Sequence, residues 1–219
     1  MLIVVLDSAT PAITAALASV TATVEVLAER VTVDARAHGE LLAPGIDAVL
    51  REAGVGPRDL AAVVAGVGPG PFTGLRVGLV TAAALTDALT IPGYGVSTLD
   101  ALGWAAGPGR VLVATDARRR EVYWAVYDNG YRITEPAVGK PTELDLPPGI
   151  TAAVGDGALR YADVLGLPVR DQPRYPPAAG LAALAAQRVR DKAPGEPLTP
   201  LYLRRPDAVE PTGRKAVTP

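Results

Sequence analysis

The sequence predicts an α/β protein of two lobes with mixed sheets, the second lobe smaller than the first. Three features of the 219-residue chain carry this. Three short apolar stretches separated by turns open the chain, the pattern of an antiparallel meander. Segments of helical and strand character then alternate, as layered α/β packing requires. After Gly107-Pro108-Gly109, a new strand with its own acidic turn begins the pattern again.

Leu2 to Leu6 is the first strand and ends in the turn Asp7-Ser8-Ala9-Thr10-Pro11. Ala12 to Ala18 and Thr23 to Asp34 complete the meander. From His38 to Gly54, Leu41, Leu42, Ile46, Val49 and Leu50 recur at helical spacing, and Gly54 is a helix stop. Leu60 to Ala65 reads as a buried strand. Gly66 to Gly78 is a glycine- and proline-rich turn, and the apolar run Leu79 to Leu89 is too long for an ordinary strand and reads as a helix. Pro92 to Val96 is a short strand, and Thr98 to Ala106 a helix with Thr98 as candidate N-cap. In the second lobe, Arg110 to Thr115 is a strand ending in Asp116-Ala117-Arg118. Val122 to Tyr127 alternates like a half-buried strand, and Asn129-Gly130 is a hairpin signal. Ala158 to Leu165 and Ala179 to Arg190 read as helices. The division expected is residues 1–106 for the first lobe, 107–206 for the second, and a polar, proline-containing tail at 207–219, expected to be disordered.

Composition narrows the function classes. The formal net charge is −2, which disfavours non-specific nucleic-acid binding by the chain alone. With no cysteine, disulfides and thiolate chemistry are excluded. The apolar N-terminus is cut by Asp7 and has no basic flank, so it reads as a strand and not as a leader. No uninterrupted apolar run approaches membrane-spanning length. A cytoplasmic protein is the expectation.

The turn Gly66 to Gly78 invites a phosphate-loop reading that its residues do not support. A Walker A loop needs Lys and Ser or Thr after its last glycine, whereas Gly74 is followed by Leu75 and Arg76. A dinucleotide fingerprint needs a third glycine where Pro71 stands. Pro69 and Pro71 supply no N–H. The alternative is a stiff turn that launches a closely packed helix, since Gly70, Gly74 and Gly78 recur every four residues.

The order meander, helix, strand, helix, strand, helix resembles one lobe of the actin–Hsp70–sugar-kinase (ASKHA) architecture. The run Gly68, Pro69, Gly70, Pro71, Phe72, Thr73, Gly74, Leu75, Arg76, Val77, Gly78 is similar to the signature of the TsaB (YeaZ) family, with Pro71 where that family has Ser and Val77 where it has Ile. Leu6-Asp7-Ser8-Ala9-Thr10, His38-Gly39-Glu40-Leu41-Leu42-Ala43-Pro44, Asp116-Ala117-Arg118 with Glu121-Val122-Tyr123, and Pro200-Leu201-Tyr202-Leu203-Arg204 extend the resemblance over nearly the whole chain.

That resemblance implies an ASKHA-like fold with a reduced second lobe. It also implies a role as a non-catalytic, activating subunit of the machinery that forms N6-threonylcarbamoyladenosine at position 37 of tRNAs reading codons that begin with A. The partners it implies are a metal-bearing TsaD-like paralogue and a TsaE-like ATPase, with tRNA met only through the complex and no membrane. It implies self-association or pairing with the paralogue through helices of the first lobe. No tightly bound cofactor is expected; ATP or ADP shared at a partner interface is the candidate ligand.

The residues bear on this independently. The paralogue's metal site needs two histidines a helical turn apart, and this chain has only His38, too few strong ligands for zinc or iron. Ser8 lacks a nucleophile-elbow setting. Asp7 and Asp116 stand in the two turns expected to face each other across the cleft of this architecture, where two carboxylates could hold magnesium through water. Neither turn contains glycine, and Gly155-Asp156-Gly157 stands where a glycine pair lets adenosine lie on backbone, which points to a degenerate cleft. Asp7, Ser8, Asp116 and Arg118 are the candidate nucleotide or cross-interface contacts. Arg118 with Arg119 and Arg120 is alternatively a basic patch toward tRNA. Leu42, Ile46, Val49, Gly74, Leu75, Gly78, Leu79 and Ala82 form the candidate partner stripe, half of which is expected to be core. The competing class is a stand-alone enzyme, a glycoprotease-like hydrolase or a small-molecule kinase.

Overall fold

In the computed structural model, which describes residues 1–204, two five-stranded sheets alternate with three layers of helix. The first sheet has the order β3-β2-β1-β4-β5. Its strands are β1 (Leu2–Asp7), β2 (Ala12–Val20), β3 (Val24–Val33), β4 (Leu60–Gly66) and β5 (Gly93–Val96). β1 is antiparallel to β2 and parallel to β4, and β4 is parallel to β5. The meander arises because its turns are short, and β1–β4 pairing requires the crossover that a helix supplies.

Helices α1 (His38–Glu52) and α2 (Phe72–Leu89) cover one face of this sheet. α3 (Thr98–Ala105) and α6 (Ala178–Arg190) lie between the two sheets. The second sheet runs β10-β6-β7-β8, from β6 (Arg110–Asp116), β7 (Val122–Asp128), β8 (Tyr131–Arg132) and β10 (Ala152–Val154), with β9 (Ala137–Gly139) also pairing β7. The short helices α4 (Asp156–Arg160) and α5 (Ala162–Leu165) are associated with its outer side. Mixed sheets and interleaved helices in this order are an ASKHA-like α/β fold.

Alternating burial explains the layers. Val4 and Leu6 of β1 point to α1 and α2, while Ile3 and Val5 point to α6, as strand geometry requires. α6 is rich in alanine and carries Gly180, which lets it sit close to α3: a Cβ there would approach the Ala101 carbonyl at 2.8 Å.

Several expectations need correction. Residues 178–190, assigned to the second lobe, pack through Leu181, Ala182 and Ala185 on Ile3, Val5 and Tyr94 of the first sheet. α2 begins at Phe72, within the signature run, because the prolines end at its N-cap position. Thr98 is the first residue of α3 and not its cap, which is Ser97. The segment 158–165 is two short helices broken at Tyr161. The hairpin at Asn129-Gly130 is present, with φ of 50° and 84°. Among the described helices, α2 alone is long and apolar enough to cross a membrane by length and composition; here its inner face packs on the sheet. The tail at 207–219 and residues 205–206 lie outside the described residues.

Candidate functional site

Asp7 closes β1 and is fully buried. Its Oδ1 accepts the Ala9 amide at 2.9 Å and its Oδ2 accepts the Thr98 hydroxyl at 2.7 Å. A Cβ on Gly66 would fall inside its carboxylate. Burial pushes the Asp7 carboxyl up to about 6, and the bonds from Thr98 and Ala9 offset part of that. The Ser8 hydroxyl donates to the Gly74 carbonyl at 2.8 Å. The Ala12 amide donates to Thr10 Oγ1 at 3.2 Å, and Pro11 has no N–H to give. His38, at the start of α1, is buried and its Nε2–H donates to the Thr10 carbonyl at 2.9 Å. A carbonyl only accepts, so Nε2 carries the proton. The first acidic turn is thus tied down on all sides by its own chain.

The signature run is shaped by that turn. A Cβ on Gly70 would collide with the Ala9 carbonyl, one on Gly74 would lie 2.7 Å from the Ser8 carbonyl, and one on Gly78 would collide with Ser8 Oγ. The glycines allow α2 to approach the Asp7–Thr10 turn within the same chain, not a second helix. Pro69 and Gly68 are buried, and the Gly68 carbonyl accepts the Thr98 amide at 2.8 Å. Phe72, Thr73 and Arg76 form the exposed or half-buried side of the first turns of α2.

The partner stripe expected on the two helices is instead core. Leu42, Val49, Leu75 and Ala82 are at most 1% exposed, and Ile46 and Leu79 are 6% exposed. All six pack on Val4, Leu6 and Val63 of the sheet in one apolar cluster. Gly74 and Gly78 are buried as well. Helical periodicity identifies an apolar face, and that face met the sheet. The outward side of the helices carries Leu41, Ala43 and Pro44 on α1, with Val80, Ala83, Ala84 and Ala88 on α2; Val80 is 68% exposed.

Asp116 closes β6 on the opposite side of the cleft. Its Oδ2 accepts Arg160 at 3.1 Å, and its Oδ1 accepts the Arg118 amide at 3.3 Å and the Tyr161 hydroxyl at 3.4 Å. The Asp116 amide donates to Asp156 Oδ1 at 3.3 Å. Burial pushes the Asp156 carboxyl up to about 6. Residues 118, 119 and 120 all have left-handed backbone, with φ of 61°, 53° and 62°, a conformation that costs an L-residue about 1–2 kcal/mol each.

Ser8, Asp116 and Arg118 line one cavity of about 540 Å³ between the lobes, together with Thr10, Arg36, His38 and Thr73. Asp7 is not among its lining residues, so the expected Asp7–Asp116 pair facing a shared ion does not form. An adjoining cavity of about 580 Å³ is lined by Asp116, Asp156, Asp171, Arg160, Arg174 and Tyr175. Thr73 belongs to the signature run but carries no sequence cue for the cleft, and Arg36 is not singled out by the sequence at all; its only signal is its place just before α1. The cleft offers two guanidinium groups and hydroxyls, a set suited to an anion. Among the described residues, no group of three or more His, Asp or Glu is placed to hold a metal ion.

The model of a family described as TsaD, tRNA N6-adenosine threonylcarbamoyltransferase, matches residues 25–190. An uncharacterized protein of Mycobacterium tuberculosis is 50% identical over 206 residues, covering 94% of this chain and 93% of its own length. The tRNA threonylcarbamoyladenosine biosynthesis protein TsaB of Escherichia coli is 33% identical over 193 residues, covering 77% of this chain and 81% of its own. The solved structure of YeaZ from Pseudomonas aeruginosa superposes with a TM-score of 0.79 at 29% identity, over 92% of this chain and 99% of that one. With signature run, acidic turns and fold in agreement, the chain belongs to the TsaB (YeaZ) family.

Proposed function

We propose that this chain is a non-catalytic scaffold subunit of the assembly that forms N6-threonylcarbamoyladenosine at position 37 of tRNA. It joins a TsaD-like paralogue, which carries the metal and the transfer chemistry, and a TsaE-like ATPase. The observation that carries this reading is the self-contained first turn. Asp7 is bonded to Ala9 and Thr98, Ser8 to Gly74, and His38 to Thr10. The groups that a kinase of this architecture turns toward phosphate are here spent within the turn itself and on holding α1, α2 and α3. What those helices then present is their outward apolar side, with Leu41 at 37% and Val80 at 68% exposed. Exposed apolar surface of this kind suits a partner of the same fold, either a second copy or the paralogue. Arg36, Arg118 and Thr73 in the cleft are the groups proposed to touch an anionic ligand such as ATP or ADP shared with a partner, while the Ser8 hydroxyl proton stays on the Gly74 carbonyl.

The test is reconstitution of tRNA threonylcarbamoylation from purified components. The expected result is no modification by this chain alone and loss of modification when it is omitted. Turnover by the chain alone overturns the reading.

A further inference from the structure

The run Leu201–Arg204 touches three separate parts of the molecule. The Leu201 amide donates to the Val67 carbonyl at 2.8 Å, at the end of β4. The Tyr202 ring meets Phe72 edge-on at 4.9 Å, and its hydroxyl accepts Arg76 Nε at 2.8 Å. The Arg76 guanidinium also lies 5.6 Å from the centres of both rings. Arg204 then reaches the second lobe, donating to the Ala117 carbonyl at 2.9 Å and pairing with Glu121. Ala117 and Glu121 are the two ends of the turn that holds Arg118, Arg119 and Arg120.

That turn is closed by two backbone bonds, Ala117 N–H to the Glu121 carbonyl and Glu121 N–H to the Arg118 carbonyl, each 2.9 Å. Three consecutive arginines at positive φ are not what local sequence selects, since glycine or asparagine fills such positions most readily. A conformation of that kind persists where tertiary contacts over-determine it. Arg204 supplies such contacts at both ends.

We propose that Leu201–Arg204 is a clasp between the lobes: Arg204 positions the arginine turn at the cleft mouth, and Tyr202 ties that turn to Arg76 on α2. The cleft mouth and the outer end of α2 are then one mechanical unit. An event on the exposed side of α2 is felt at Arg118, and a ligand held by Arg118 is felt at α2. The clasp is a property of the chain itself and stands whether or not the proposed tRNA-modifying role is correct.

Amide hydrogen exchange resolved by NMR on the full chain tests this, because the Ala117 and Glu121 amides report local opening of the turn. Arg204→Ala is expected to speed exchange at both amides about tenfold while strand β6 keeps its protection. Tyr202→Ala, which touches no residue of the turn, is expected to speed them at least threefold. Glu121→Gln, which removes only the ion pair, provides the reading if Arg204→Ala does not fold, with about threefold faster exchange expected. Unchanged exchange at Ala117 and Glu121 in Arg204→Ala, or in Glu121→Gln if that is the variant read, overturns the clasp. Unchanged exchange in Tyr202→Ala overturns the link to α2.

Discussion

Asp7 is a carboxyl group shut off from the solvent surface, held between Gly66 and the first residue of α3. Burial pushes its carboxyl up to about 6 from an ordinary value of 3.8. The folded state therefore takes up this proton more readily than the unfolded one. The linked stability is fully present below about pH 4 and is lost as pH rises through 6. A shift of about two units corresponds to roughly 2–3 kcal/mol. Asp7→Asn removes this term: chemical denaturation at pH 4 and pH 7 should show wild type losing about 2–3 kcal/mol relative to the variant. Equal pH dependence in the two proteins contradicts the placement of Asp7. Gly78 offers a second test at this scale. Gly78→Ala should destabilise by about 1–3 kcal/mol, because the new methyl meets Ser8 Oγ in a filled space. In a Ser8→Ala background the nearest atom of residue 8 is the Cβ at 3.5 Å, so most of that further loss should vanish. Additive effects in the double-mutant cycle contradict the contact. The residue types at both positions were legible in the sequence; their burial was not, because Asp7 reads identically in an open phosphate-binding turn and in a closed one.

At the scale of elements, α1 and α2 show what periodicity can and cannot tell. The spacing of Leu42, Ile46 and Val49 locates the helix and its apolar side. Which neighbour covers that side depends on the direction in which the chain crosses the sheet, and on the four-residue glycine spacing being met by Ser8 and Ala9 of the same chain. Ile46→Asp and Leu79→Asp therefore test folding: each buries an unpaired charge at a site 6% exposed and should cost more than about 4 kcal/mol. Val80→Asp tests association. At 68% exposure it should leave the melting temperature within a few degrees while weakening self-association and copurification with the paralogue at least tenfold. Undiminished association sinks the outward face of α2 as the interface. The meander, the hairpin at Asn129-Gly130 and the sequence of elements through α3 were legible because each has a local cue. α4 and α5 were less so, since Tyr161 breaks the helix without a proline or glycine.

Across the whole molecule, the two lobes are less separable than a boundary at Gly107–Gly109 suggests. α6 follows the second sheet in sequence yet buries Leu181, Ala182 and Ala185 against the first. Residues 193–204 continue over β5 and α2 to the second-lobe turn. Neither return was legible, because an alanine-rich helix carries no sign of which sheet it will meet, and the Pro200–Arg204 run, although similar to the family's, carries no sign of what it packs against. The family was legible because the signature run is fixed by close packing: Gly70, Gly74 and Gly78 are each placed where a side chain would strike the first turn. On the proposed scaffold reading these scales join: the closed turn does no chemistry itself, and the helices it fastens act by meeting a partner.

The most direct measurement is the rate of tRNA threonylcarbamoylation by the paralogue and ATPase, followed against increasing concentration of this chain, wild type and Val80→Asp. The proposed scaffold role predicts one shared plateau, with the variant needing at least tenfold more protein to reach it. Saturation of both at the same concentration, or modification by this chain without the paralogue, contradicts it.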